Sequence, residues 1–164
     1  LEIDGTQLIE ASDGSLYLAG YYNSADGRHG FVANFDTNGS ENWTEKYQFA
    51  LSDGMNLGTT IIDIIQTSDG GFLLAGESGK LSTIWDGTHW EFDNKYRSGP
   101  FVIKLNSDFE VEWKAVYEGG PEGDTLSSCS ELSSGIYICS GTTSSTSTWG
   151  NGATDFYIIK IDTN

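Results

Sequence analysis

Positive charge is scarce in this chain. Eight Lys and Arg residues stand against 24 Asp and Glu, a formal net charge of −16. A field of that sign repels a phosphate backbone and an anionic lipid surface, which argues against nucleic-acid and membrane-surface partners. Its plainest meaning is solubility, and it leaves cations as the charged species attracted. No apolar run approaches a membrane span, so no membrane insertion is expected, and no segment of these residues reads as a signal peptide. The chain opens at Leu1 rather than Met, which suggests a processed, trimmed or excised polypeptide and keeps secretion open. Only two cysteines occur, in neither a Cys-x-x-Cys nor a haem motif, so catalytic or metal-binding thiols are not expected. The two histidines, His29 and His89, lack paired spacing and do not suggest zinc. There is no Ser/His/Asp arrangement, phosphate loop or nucleotide fingerprint, and 24 acidic residues do not single out a catalytic pair. No window combines helical apolar periodicity with a cap at each end.

What remains is rich in turn and strand formers. Gly supplies 21 residues and aromatics 13% of the chain, with only two prolines, so many short strands joined by tight turns are expected. A repeat orders them. Residues 8–20, 64–76 and 129–141 each carry two apolar runs joined by Asp-Gly or Ser-Gly: Asp13-Gly14, Asp69-Gly70 and Ser134-Gly135. Gly there can take the positive φ of a bulged hairpin turn. The runs after the turn, residues 16–19 and 72–75, are almost continuously apolar, as in strands covered on both faces. A second signature follows: residues 31–39 lead to Trp43, residues 101–108 lead to Trp113, and residues 157–164 begin the same pattern. Each unit reads as a third strand, a polar turn and a fourth strand carrying Trp, which makes a four-stranded blade.

The expected fold is therefore all-β: one domain over residues 1–164, a β-propeller-type array of three antiparallel blades. They span about residues 5–50, 58–118 and 124–164. The third lacks its outer strand, because the chain ends five residues before the expected Trp. Propellers close with about four to eight blades, so three are not expected to close alone. Trp43 and Trp113 are expected to be equivalent, buried and packed between blades. The outward faces of blades 1 and 3 are expected to match the apolar composition of the faces between blades.

On residues 67–76, 35–43 and 113–124 the chain resembles the propeller repeats of large secreted and cell-surface proteins of archaea and bacteria. It is similar also to quinoprotein-like and Kelch-like blades, without a cofactor motif. The resemblance covers almost the whole chain and implies architecture: a surface scaffold, adhesin or ligand-presenting module. Blade 2 departs from the pattern, with Asn106 and Phe109 where Asp and Gly are usual. A differently built turn is expected there.

Cys129 and Cys139 flank the third hairpin and align with Leu8/Leu18 and Ile64/Leu74, the core columns of the other blades. They are expected to face each other, either as two buried thiols or as a cross-strand disulfide fitting an oxidising compartment. Asn38 and Asn42 head N-glycosylation sequons. Asp36 and Asn38 resemble the start of a calcium loop but lack its distal bidentate Glu, and an Asx-type turn explains them as well. The long connection in blade 2 carries Trp85, Trp90 and Tyr96, a candidate surface for sugar or protein, or a loop folded over its own blade. The Ser/Thr run at residues 142–148 reads as a solvated loop. These observations lead to the expectation of a non-enzymatic structural, adhesion or ligand-presenting module, extracellular or at the cell surface. Its partners would be protein, either further blades of a longer chain or copies of itself, with glycans as a further class. No cofactor is expected, calcium apart. The alternatives are a carbohydrate-binding propeller and a fragment of a quinoprotein-like enzyme.

Overall fold

The computed structural model of the chain describes residues 2–25, 27–50, 56–79, 83–85, 90–92, 99–117, 124–143 and 154–163. Among these residues there are strands and no helix. The first sheet is a meander of β1 (Glu2–Glu10), β2 (Leu16–Ser24), β3 (Gly27–Phe35) and β4 (Glu41–Tyr47). A two-residue strand, β5 (Phe49–Ala50), leads on to the second blade and pairs with its inner strand β6 (Asn56–Gln66). The chain continues through β7 (Phe72–Gly79), then a separate two-stranded sheet of β8 (Thr83–Trp85) and β9 (Trp90–Phe92). Strands β10 (Gly99–Leu105) and β11 (Val111–Val116) complete blade 2. Blade 3 consists of β12 (Asp124–Ser133), β13 (Ile136–Thr143) and β14 (Asp155–Asp162). The expected array of four-, four- and three-stranded antiparallel blades is what the chain forms, and the array does not close on itself.

Alternation along each strand divides the core into two blade-to-blade layers. Tyr17, Ala19 and Val32 of blade 1 pack on Ile64, Phe72, Leu74, Phe101 and Ile103 of blade 2. The opposite face of blade 2, with Leu73, Ala75 and Val102, packs on Leu126, Cys129, Tyr137 and Cys139. Blade 2 is thus covered on both sides, which is why β10 is buried along its whole length.

Two local rules repeat from blade to blade. Gly14, Gly70 and Gly135 close the hairpins with φ of 85°, 84° and 74°. In the first two, the residue before the turn donates to the one after it, Ala11 N–H to Ser15 O and Thr67 N–H to Gly71 O. The second rule explains the Gly that ends each signature. A bulge interrupts the inner strand at Gly5/Gln7, Ile61/Asp63 and Leu126/Ser128, beside Gly20, Gly76 and Gly141 of the next strand. The bulge brings a backbone carbonyl (Asp4, Thr60, Thr125) into the space that a Cβ would occupy. A side chain there collides with backbone, so the site takes only Gly.

The turn of blade 2 corrects the expectation of a different build. Asn106 accepts from the N–H groups of Asp108 and Glu110, each at 2.9 Å. Asp36 does the same in blade 1 for Asn38 and Ser40. Phe109 adopts φ 63°, the position that Gly39 fills with φ 82°. Asn replaces Asp because both side chains offer the one acceptor oxygen that the turn needs. Phe replaces Gly at a steric cost of about 1–2 kcal/mol, offset by the contacts of its ring.

Candidate functional site: the outward faces of the array

The columns Leu8/Leu18, Ile64/Leu74 and Cys129/Cys139 are directly opposed pairs at equivalent positions. Each points toward the preceding blade. Ile64, Leu74 and Cys139 are completely covered, whereas Leu8 is 60% exposed and Leu18 is half-buried. Ile3, also largely exposed, extends the same apolar surface toward the start of β1.

The outward face of blade 3 differs and corrects the expectation of matching composition. Its central strands present Ser128, Ser130, Ser140 and Thr142, all exposed. The equivalents in blade 2 include Asp63, Ile65 and Ala75, which are buried or half-buried. Apolar surface on this face concentrates on β14, where Phe156 is 83% exposed and Ile158 59%. The same strand is the edge of its sheet, where blades 1 and 2 carry β4 and β11. Lys160 is exposed at the position of the buried Lys104.

The residues singled out in the sequence fall as follows. Cys129 and Cys139 face each other in the blade 2–blade 3 layer and are joined as a disulfide, Cα–Cα 4.1 Å. Trp43 and Trp113 are equivalent, opposite Asn34 and Lys104, and both turn toward the next blade. They are half-buried rather than buried, because each lies near the polar turn end of the outermost strand. Trp43 meets Phe109 of blade 2 at 4.6 Å, and Trp113 meets Tyr137 of blade 3 at 6.2 Å. Asp36 spends one carboxylate oxygen on Asn38 and Ser40 N–H groups, and these backbone bonds hold its carboxyl below the usual range. That is the Asx-turn arrangement, and no group of three metal-ligating side chains forms among the described residues. Asn38 is exposed at the turn tip; Asn42 is exposed but its amide donates to Asn34 Oδ1 at 2.8 Å. Trp85 and Trp90 are opposed in the register of β8 and β9. Tyr96 and residues 144–148 of the Ser/Thr run lie outside the described residues.

Two groups were not singled out from the sequence. Lys104, 2% exposed, reaches Asp69 at 2.8 Å, Glu112 at 3.1 Å and the Leu105 carbonyl at 2.9 Å. Burial alone lowers an ammonium, but the two carboxylates outweigh it and keep Lys104 above its ordinary value. Burial likewise pulls Asp69 upward, yet Lys104, the Thr67 hydroxyl and the Gly71 N–H hold it at about 2. A lone Lys inside the apolar run 101–105 was the available clue. Asp63 is buried and accepts the Cys129 N–H at 2.6 Å, tying blade 2 to blade 3. Desolvation raises its carboxyl despite that bond and one from Ile64. Each of these groups is engaged by the fold itself.

No protein-family model matches the chain, and no curated protein matches it.

Proposed function

We propose that the chain is a non-enzymatic structural module of an extracellular or cell-surface assembly, extended by blade-on-blade contact. Its outward faces meet further blades, either of a longer parent chain or of another copy. One observation carries this reading: in the Leu8/Leu18 column of blade 1 Leu8 is 60% exposed and Leu18 half-buried, while their equivalents in blades 2 and 3 are core. Uncovered apolar surface costs about 25 cal/mol per Å², and a face shaped like an internal layer offers another blade the same gain. The edge of β14 adds backbone donors and acceptors that a fourth strand can pair. The Cys129–Cys139 disulfide suits an oxidising compartment, which supports the extracellular placement.

The test is light scattering of the chain over a wide concentration range beside Leu8→Glu. The expected result is self-association that the substitution weakens at least tenfold. A monomer at every concentration, unchanged by the substitution, overturns the reading.

A further inference from the structure

A shallow cleft of about 380 Å³ opens between the turn ends of blades 1 and 2. Tyr17 and Trp43 come from blade 1 and Phe109 from blade 2, with Glu45, Ser107 and Asp108 around them. Phe109 lies 4.6 Å from Trp43 at a steep 65° and 5.0 Å from Tyr17, and it stacks on Phe72 at 4.5 Å. Trp43 and Phe109 are only half-buried, which leaves ring surface facing the opening. The Tyr47 hydroxyl donates to the Phe109 carbonyl at 3.3 Å, so blade 1 braces the turn that delivers the ring.

Stacking of blades does not require this arrangement. The junction of blades 2 and 3 has Leu73 in place of Tyr17 and Ala115 in place of Glu45. Its ring pair among the described residues is Trp113 and Tyr137, at the looser 6.2 Å. Among the described residues, only the first junction combines three rings with two carboxylates, and only there does a non-Gly residue hold a positive φ.

The charge fixes the kind of occupant. Glu45 and Asp108 are exposed at the cleft, and among the described residues no cationic side chain lines it. The lysines of the two outer strands are engaged elsewhere, Lys46 over Tyr22 at 5.0 Å and Lys114 over Phe49 at 5.2 Å. A negative rim around the partly exposed, electron-rich rings of Trp43 and Phe109 is complementary to a soft cation. We infer that this cleft binds an organic cation, a methylated or quaternary ammonium group, against Trp43 and Phe109, with Tyr17 beneath them and Glu45 and Asp108 balancing its charge.

The test is NMR titration of the full chain at constant ionic strength with tetramethylammonium, with the neutral isostere tert-butanol, and with cellobiose. The Trp43 indole N–H, assigned through Trp43→Phe, is the reporter. Tetramethylammonium should shift it saturably, with at least tenfold higher affinity than tert-butanol. The pair Glu45→Gln and Asp108→Asn should weaken that response at least fivefold while leaving the Trp113 indole signal in place. Phe109→Gly, which restores the usual turn residue, should weaken it without loss of spectral dispersion. No saturable shift, equal affinity for tert-butanol, a tighter response to cellobiose, or indifference to the two carboxamides would each overturn the assignment.

Discussion

Phe109 shows how far a single residue departs from what its sequence position suggests. Read alone, Phe at a Gly position argues for another turn; the structure keeps the turn and moves the cost into φ. The compensation comes from Phe72 at 4.5 Å, Trp43 at 4.6 Å and Tyr17 at 5.0 Å, which lie far from it in sequence. No local pattern reveals such partners, so this feature was illegible before the blades were stacked. Phe109→Gly removes strain of about 1–2 kcal/mol but also removes a half-buried ring worth somewhat more. The chain should lose about 1 kcal/mol in urea unfolding. A more stable variant would show that the ring contributes less than the turn costs. The docking role of Trp43 and Trp113 was legible, because their spacing from the preceding turn repeats; their partial exposure was not.

At the scale of strands and turns, the hairpins were the most legible part. Their Asp-Gly or Ser-Gly turns and apolar runs state the register directly, and the opposed cysteines follow from it. The bulges beside Gly20, Gly76 and Gly141 were legible only as repeated glycines whose reason is a neighbouring carbonyl. The tie among Lys104, Asp69 and Glu112 joins β10, the 67–71 turn and β11 across one blade, and it rests on distances that composition does not give. Asp69 titrates near 3.8 when unpaired and at about 2 in the fold. Its stabilising effect is therefore present above pH 4 and is lost as pH falls toward 2. Because this carboxylate is half exposed, solvent screening reduces the effect to about 1 kcal/mol. Stability measured by urea unfolding should fall between pH 5 and pH 2 by about that much more in the natural chain than in Asp69→Asn. Parallel pH profiles would mean that the pair contributes nothing.

For the whole molecule, the repeat made the three-blade array readable, since each unit restates the same periodicity and turn chemistry. The two ends were readable only in part. The apolar face of blade 1 follows from its own strand pattern, but the hydroxyl-rich face of blade 3 required knowing which alternate residues turn outward. That face carries Ser128, Ser130, Ser140 and Thr142 where blade 2 is covered, so the two ends offer different surfaces to whatever meets them. The central claim is that blade 2 is sandwiched while blades 1 and 3 are each covered on one side. Amide exchange at the paired positions Leu18, Leu74 and Cys139 tests it most directly, because their strands occupy equivalent places in the three sheets. In dilute solution Leu74 should exchange at least about 100-fold more slowly than Leu18, with Cys139 between them owing to its disulfide. Equal protection at all three positions would contradict the account.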